Sequence, residues 1–360
     1  MHSDCWYNIA LTFIPSIGPI TRKALLTEFE LSKNIFNASK KDLLAVKGIG
    51  EKMVNEILQW NNPSLVDAEY AFIQKHQITP LFITDESYPK KLLECPDAPT
   101  LLYYKGTANL NTTKILSIVG TRMPTPYGHY VIENCLQTLP KDVLIVSGLA
   151  LGIDTIAHQT ALLNGFNTVG VLAHGLDEIY PPPNKLLAKK MLKQGGLLTE
   201  FNCKTIAEKY NFPKRNRVVA GLADATLVVE TALKGGSIIT ADFALQYHRE
   251  VIAVPGKITD QRSRGCLKLI QENKAAIYTN PNELLQQLNW VASAPALSPE
   301  QKGLIRLMKQ QEIFSMDELL QLTGLGIGSL SSLLLQLELQ QVVQVLPGGF
   351  FTLMPAFYSI

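Results

Sequence analysis

The feature that most constrains the fold is a pair of β-branched runs, Ala225–Glu230 and Glu250–Val254, separated by a helical pattern. This strand–helix–strand succession predicts a parallel strand pair, and parallel sheets are covered on both faces. The stretch Phe212–Gly256, which contains the unit, therefore predicts an α/β core. Its loops carry cations and small residues rather than acids, and such loops suit a ligand that bears phosphate.

Strand patterns recur before this unit, and glycine-rich turns follow several of them. Ile115–Val119 ends at Gly120, and Val143–Val146 ends at a turn with two glycines. Further strand patterns occur at Thr168–Leu172 and Gly196–Glu200. The alternation of strands and helices predicts an open, doubly wound sheet with right-handed crossovers. The turns at the carboxyl ends of its strands are then the expected ligand site.

Helical patterns precede the predicted sheet, and residues 1–75 are predicted to form a helical module. Within it, Ala45–Gly50 leads into the amphipathic run Glu51–Trp60 and resembles the hairpin of a helix-hairpin-helix motif. The glycines would let backbone N–H groups at a helix start face a DNA phosphate. A tight turn without a ligand explains the pattern equally well, because the module has no excess of basic residues.

Residues 76–290 are assigned to the central domain, residues 291–298 to a linker and residues 299–360 to a C-terminal domain. In that last domain, three helical patterns are followed by two strand patterns that a Pro-Gly-Gly turn separates. This order predicts a winged helix whose wing is a β-hairpin. The pattern Ile327–Leu339, in the position of a recognition helix, holds no lysine or arginine. Contact with protein, or simple packing, is therefore favoured over binding of duplex DNA.

Charge is unevenly distributed, although the net charge of the 360 residues is only +2. Residues 111–297 hold 19 Lys and Arg against 14 Asp and Glu, whereas residues 298–360 hold 3 against 5. A nucleic-acid site is therefore expected in the middle of the chain.

The five cysteines are scattered singly, which indicates reduced thiols in a cytoplasm. No apolar run is long enough to span a bilayer, so no membrane contact is expected.

Three motifs of the predicted central domain form a specific combination: Gly120-Thr121-Arg122, the turn Ser147–Asp154 with His158, and Phe212–Arg217. In these motifs and in their order, the chain resembles the DprA (also called Smf) family of bacterial DNA-processing proteins. The resemblance covers nearly the full length. It implies an α/β, extended Rossmann-like doubly wound sheet, flanked by an N-terminal helical (helix-hairpin-helix or SAM-like) module and a C-terminal winged helix.

The resemblance also implies a function. The family binds single-stranded DNA, protects incoming strands and helps to load the RecA recombinase during natural transformation, in competent cells. It dimerises through its Rossmann-like domain and is not regarded as an enzyme. Single-stranded DNA, RecA and a second copy of the chain are thus the expected partners, without a cofactor or a metal. Leu151 replaces an arginine that is usual in the family, which removes one cation from that strand end.

Cations and small residues on the predicted rim are the expected DNA contacts. Arg122 follows a strand directly and is the leading contact, and Lys185 lies at a helix start. Gly120 belongs to the same turn as Arg122. Gly235, Gly236 and Ser237 can present successive N–H groups to an anion, although capping of the next helix is sufficient to explain Ser237. The aromatic residues expected to stack on bases, unless they pack in the core, are Tyr127, Tyr180 and Phe212.

Lys214, Arg215 and Arg217 form the densest basic cluster of the chain and complete the set of predicted DNA contacts. Helical spacing places Lys214 and Arg217 on one face and turns Arg215 away. For the two arginines, pairing with acids such as Glu200 or Asp224 is an equally good explanation. Cations from remote parts of the central segment, namely Arg122, Lys185 and Lys214, are expected to meet along one rim of the sheet.

Other kinds of site are less well supported. Asp154 and His158 are four residues apart, but the remaining histidines are isolated. Asp154 is therefore expected to be a helix cap to which His158 is bonded, rather than a metal ligand. A phosphate-binding P-loop motif and a Gly-x-Ser-x-Gly elbow are both missing from the sequence.

The alternative function is a Rossmann-like nucleotide or phosphoribosyl hydrolase of the lysine-decarboxylase-like type. Those enzymes carry a glutamate in the helix after the glycine loop, whereas this chain has none until Glu250. A scaffold that binds only proteins is a third interpretation.

Overall fold

The computed structural model describes residues 3–290, 297–340, 342–354 and 357. The chain divides into two compact units, Met1–Trp290 and Val291–Ile360, which are described separately. Within the described residues, no single helix combines the length and the apolar character needed to cross a membrane. The helices Met316–Thr323 and Ile327–Leu339, bent by 110° relative to one another, meet that test only as a pair.

The first unit begins with a module of short helices. Apolar side chains spaced three and four residues apart face a common core, in which Leu25, Ile35 and Val54 are fully buried. Gly48, at φ +86°, forms the turn of the predicted hairpin in a backbone conformation that favours glycine. The helices of the module are α1 (Asp4–Thr12), α2 (Pro19–Phe29), α3 (Ser32–Asn37), α4 (Lys40–Ala45), α5 (Glu51–Gln59) and α6 (Pro63–His76).

A single large sheet follows the module. Its strands are β1 (Thr79–Phe82), β2 (Leu101–Gly106), β3 (Ile115–Gly120), β4 (Leu144–Ser147), β5 (Thr168–Val171), β6 (Gly195–Thr199), β7 (Ala225–Val229), β8 (Glu250–Ala253) and β9 (Ala276–Ile277). In the described part of the chain, the sheet has the order β1-β2-β6-β5-β4-β3-β7-β8-β9. Neighbours from β6 to β9 are parallel, whereas β2 and β1 form an antiparallel edge. The parallel pairing of β7 with β8 confirms the strand–helix–strand unit.

Helices cover both faces of the sheet. They are α7 (Lys90–Leu93), α8 (Pro126–Thr138), α9 (Ile153–Leu163), α10 (Lys185–Met191), α11 (Asn211–Leu222), α12 (Gly236–Gln246), α13 (Arg264–Gln271) and α14 (Pro281–Gln287), with a 3₁₀ turn at Pro182–Asn184. Val119 of β3 packs in the apolar cluster that includes α11 and α12, whereas Ile118 packs in the cluster that includes α8 and α9. Successive residues of a strand point to opposite faces, so β3 is buried on both.

The direction of the connections reverses at β3. The chain continues from β3 through β4, β5 and β6 on one side, and β7, β8 and β9 lie on the other side. In a doubly wound sheet, ligands bind in the crevice outside the carboxyl ends of the strands at such a switch point. The boundary between β3 and β7 therefore positions the site.

The second unit has the helices and hairpin of a winged helix, as predicted. Its elements are α15 (Pro299–Met308), β10 (Phe314–Ser315), α16 (Met316–Thr323), α17 (Ile327–Leu339), β11 (Val343–Leu346) and β12 (Phe350–Leu353). Ser298 and Ser315 form capping boxes that begin α15 and α16. Most of the predicted linker 291–298 lies outside the described residues, and its last residue, Ser298, already belongs to the cap of α15.

Candidate nucleic-acid interface

A cleft of about 690 Å³ opens at the carboxyl ends of β3 and β7. One wall is the turn Gly120–Arg122 that ends β3, and the other is the loop that runs from Thr231 after β7 to the start of α12. The first turns of α11 complete it, through Phe212 and Arg215 among others. The cleft thus lies at the switch point of the sheet, where a ligand is expected.

A cation and two aromatic rings lie together in this cleft. The guanidinium carbon of Arg122 is 5.5 Å from the centre of the Phe212 ring, which is within the range of a cation–π contact. The ring of Tyr180, which is 46% exposed, has its centre 6.2 Å from that of Phe212. The exposed Arg122 can therefore meet a phosphate beside rings that offer faces to a base.

The loop after β7 brings the start of α12 into the cleft. Gly235 is the N-cap and supplies no side chain to the helix start, and the Ser237 hydroxyl donates to Thr231 Oγ1 at 2.7 Å. The interpretation of Ser237 as a helix cap is therefore wrong. A Cβ on Gly235 would lie 2.2 Å from Thr231 Oγ1, whereas a Cβ on Gly236 would meet no atom within 4 Å. At Gly236, an anion can thus approach the positive end of the helix.

Gly120 is required by packing. A Cβ at this position would lie 1.9 Å from the Val229 carbonyl oxygen and 2.6 Å from Ile153 Cγ1. The end of β3 therefore packs closely against β7 and α9 only because position 120 has no side chain. Gly120 also lines the cleft, so the same close packing shapes the site.

Arg215 lies beneath the cleft and is 6% exposed. Its Nη1 donates to the Val171 carbonyl oxygen at 2.7 Å, and its Nε donates to Asn216 Oδ1 at 3.0 Å. A Cβ on Gly148 would lie 2.0 Å from Arg215 Nη1 and 2.4 Å from Asp154 Oδ2, so the two charged groups flank the same glycine. Burial raises the pKa of Asp154, and the Arg215 guanidinium opposes that rise. Arg215 therefore joins the ends of β4 and β5 to α11.

Arg217 is equally buried and also has partners within the chain. It donates to a carboxylate oxygen of Glu200 and to the carbonyl oxygen of Asp97. Glu200 is one of the two acids proposed from the sequence, whereas Asp224 instead pairs with Lys91 at 3.1 Å. The structure thus gives both arginines of the motif the structural role that the sequence left open.

The two predicted lysine contacts lie in different places. Lys185 is exposed at the start of α10, and the preceding Asn184 donates to the Leu149 carbonyl oxygen at 2.9 Å, which ties that helix to the turn after β4. Lys214 is exposed and lines a separate depression together with Arg217. Lys214 and Arg122 therefore do not share the cleft, in contrast to the single rim expected from the sequence.

Asp154 does not cap α9, and His158 does not bond to it. The N-cap is Gly152, and Asp154 Oδ2 accepts from the Ala150 N–H at 3.2 Å. The His158 ring nitrogens instead lie 2.6 Å from Thr168 Oγ1 and 2.5 Å from the Gly148 carbonyl oxygen. Burial lowers the pKa of His158 to about 4, so the ring is neutral near pH 7. Across the described residues, no group of His, Cys, Asp and Glu could hold a metal ion.

Two residues of the site were missed in the sequence. Lys209 is exposed and lines the cleft, and its position three residues before Phe212 was the available signal. The side-chain nitrogen of Asn216 donates to the Gly236 carbonyl oxygen at 3.2 Å and so joins α11 to α12. Tyr127, a predicted stacking residue, instead donates through its hydroxyl to the Pro255 carbonyl oxygen at 3.0 Å.

Three family models match the chain. The model of DNA recombination-mediator protein A matches residues 79–289, which is more than half of the chain. The DprA winged helix domain matches residues 291–349, and the helix-hairpin-helix motif matches residues 32–60. The match at 32–60 includes the hairpin predicted at Ala45–Gly50.

Full-length relatives and solved structures agree with these matches. Protein Smf of Synechocystis sp. is 33% identical, with 96% of this chain and 98% of that protein covered. The DNA processing protein DprA of Streptococcus pneumoniae is 34% identical over 74% of this chain and 99% of that protein. An X-ray structure of the S. pneumoniae protein has a TM-score of 0.58 and 37% identity, and covers 65% of this chain and 85% of that one. A structure of DNA processing protein A of Helicobacter pylori has a TM-score of 0.54 and 30% identity, and it covers 59% of this chain and 96% of that one. That structure was described for the single-stranded DNA binding mode of the H. pylori protein.

Proposed function

Because this chain belongs to the DNA recombination-mediator protein A (DprA/Smf) family, we propose that it binds single-stranded DNA in the cleft between the ends of β3 and β7. The observation that carries the proposal is the placement of the exposed Arg122 over the Phe212 ring, at 5.5 Å. A single strand presents phosphates and unstacked bases together, and this pair can contact both.

The cleft suggests a role for each predicted contact. Arg122 and the open start of α12 at Gly236 bind phosphates, and Lys209 adds a cation at the mouth. Phe212 and Tyr180 stack on bases. Phosphate contacts and stacking carry little sequence information, so binding is expected to tolerate any sequence. Gly120, Gly235, Ser237 and Arg215 build the walls. Arg217 lies outside the cleft and pairs with Glu200, and Lys185 lies outside it next to the turn after β4.

Replacement of Arg122 by alanine tests the proposal. Loss of one charged phosphate contact should weaken binding of oligothymidylate about tenfold and reduce the salt slope by about 0.7. Fluorescence anisotropy titrations at several salt concentrations measure both quantities. The matched control is Lys75→Ala, which removes an exposed cation from the last turn of α6, outside the cleft. Equal affinities of wild type and Arg122→Ala would refute the proposal.

We further propose that the bound strand is protected and transferred to the RecA recombinase during natural transformation, by a homodimer formed through the central domain. Leu233 and Ile258, which follow β7 and β8, are 48% and 80% exposed, and such apolar residues suit a subunit contact. Sedimentation of the wild type and of Ile258→Glu tests the dimer. Nuclease digestion of bound strands and RecA-dependent strand exchange test protection and loading.

A hydrolase function is less well supported by the cleft. Among the described residues that line it, Asp154 is the single carboxylate, and it lies beside Arg215 under the turn after β4. General acid–base hydrolysis needs a carboxyl group within reach of the substrate. Release of a free base from nucleoside monophosphates by the wild type, lost in Asp154→Asn, would reverse this conclusion.

A further inference from the structure

A second depression, of about 300 Å³, lies where the helical module meets the central domain. We call it the junction pocket. The loop before α2 and the start of that helix, from Pro15 to Arg22, form one side, and Glu200, Lys214 and Arg217 form another. Within the described ranges, the junction pocket and the cleft have no lining residue in common.

The charges around the junction pocket are predominantly positive. Arg22, Lys214 and Arg217 supply three cations, and all three act on the buried Glu200. Arg217 is bonded to Glu200 and also lies 3.9 Å from Asp97, whose carboxylate does not line the pocket. Even with both acids counted, the three cations exceed them. One positive charge is therefore unbalanced at the junction pocket, and it favours an anion there.

Arg22 has an unsatisfied donor at this pocket. Its Nε is inaccessible to solvent and has no hydrogen-bond partner among the residues that the structure describes. Burial lowers the pKa of Arg22, and Glu200 is the largest opposing influence. An oxygen of Glu200, Oε1, is likewise buried and has no hydrogen-bond partner among the described residues. Buried polar groups are normally paired, so the pocket holds an unpaired donor and an unpaired acceptor, and the exposed Lys214 also lines it.

The start of α2 faces the same side. This helix of 11 residues begins at Pro19, and its N-cap, Gly18, offers no capping side chain. The first N–H groups of an uncapped helix and its dipole favour an anion. The turn from Pro15 to Gly18, which by itself lacks basic residues, thus gains cations from the central domain.

We propose that the junction pocket binds a backbone phosphate of the strand whose bases lie in the cleft, so that the DNA path crosses α11 and continues onto the helical module. The inference rests on the proposed function. Helix α11 lines both depressions: Pro213 and Arg215 face the cleft, and Lys214 and Arg217 face the junction pocket. A helix is about 10–12 Å wide, which corresponds to about three nucleotides at the 3.4 Å spacing of a stacked strand.

A length series tests the inference on the full chain. Affinity for oligothymidylates of increasing length is measured by anisotropy for the wild type, Arg22→Gln and Lys214→Gln. For the wild type, affinity should rise by about tenfold once the strand is about three nucleotides longer than the shortest that binds. Both variants should lose this rise and keep the wild-type affinity for the shortest strand. The control is Lys23→Gln, which removes a cation from the same helix at a position outside the pocket.

Each outcome decides between the proposals. Loss of the increment in Arg22→Gln and Lys214→Gln, but not in Lys23→Gln, supports the junction pocket. Unchanged length profiles, or equal losses for the shortest and longest strands, overturn it and leave the cleft untouched. Because Lys214 is exposed, its variant keeps the test valid should Arg22→Gln fail to fold. A wild type that binds no strand of any length overturns the proposed function itself.

Discussion

Replacement of Arg215 by methionine should strongly destabilise the first unit. The methionine fills a similar volume but leaves Asp154 without the guanidinium that flanks Gly148, and it leaves the Val171 carbonyl oxygen without its donor. Removal of one member of a buried charge pair costs roughly 3–5 kcal/mol of unfolding free energy. An ordinary domain has an unfolding free energy of only about 5–15 kcal/mol, so this loss is a large share of its stability.

Urea unfolding followed by tryptophan fluorescence measures this loss. All three tryptophans, Trp6, Trp60 and Trp290, lie in the first unit, so the signal is specific to it. The midpoint should fall while the slope with denaturant stays constant. Arg122→Met is the matched control: it removes an exposed arginine from the same rim and should change the unfolding free energy by less than about 0.5 kcal/mol.

A second substitution identifies the cause. Asp154→Asn removes the charge but keeps an oxygen that can accept from the Ala150 N–H. If an uncompensated buried charge is responsible, the double variant Arg215→Met/Asp154→Asn should be more stable than Arg215→Met alone. A loss below about 1 kcal/mol in the single variant, or no recovery in the double variant, would refute the reasoning.

The remaining predictions concern neighbouring glycines and a buried histidine. Gly235→Ala should lower the unfolding free energy by roughly 1–3 kcal/mol because its Cβ meets Thr231, whereas Gly236→Ala should be nearly neutral in stability yet weaken DNA binding. Urea titration measures the stability of each variant, and fluorescence anisotropy measures its DNA binding. Equal stabilities of the two variants would contradict the prediction. His158 is buried and neutral, so the unfolded chain binds more protons below its ordinary pKa of about 6.5, and stability should fall as the pH drops. Because the pKa of His158 in the folded chain is about 4, this group lowers the unfolding free energy by roughly 3 kcal/mol at pH 4. The unfolding free energy of His158→Gln should therefore depend less on pH between about 6.5 and 4. An unchanged pH dependence would contradict the burial of a neutral His158.

The sheet was predictable because its strands are short apolar runs between helical patterns. The predicted runs Ala225–Glu230 and Thr168–Leu172 each differ from the observed strands, β7 and β5, by one residue. Both signals are local, since a strand buried on two faces needs continuous apolar residues. The antiparallel pairing of β2 with β6 was not foreseen, because it depends on partners distant in the chain.

The candidate site was predictable as a location and less so in its contacts. Glycine-rich turns indicated the edge of the sheet at which the cleft opens, and Arg122 lines that cleft. Periodicity placed Lys214 and Arg217 on one face of α11, but it could not show that this face meets the helical module rather than the cleft. The spacing of Asp154 and His158 was misleading because Gly152, at φ +84°, is the N-cap of α9. The partners of both side chains also come from other strands and turns.

The antiparallel edge of the sheet bears on how the protein is made. Tyr103 of β2 pairs with Thr199 of β6, so the helical module and the first two strands leave the ribosome long before the strand that completes their ladder. Until then, β2 exposes an open row of backbone donors and acceptors, which invites pairing with another nascent chain. Translation that slows between these strands would prolong this state and should increase aggregation, even though the finished molecule covers β2 on both sides with β1 and β6.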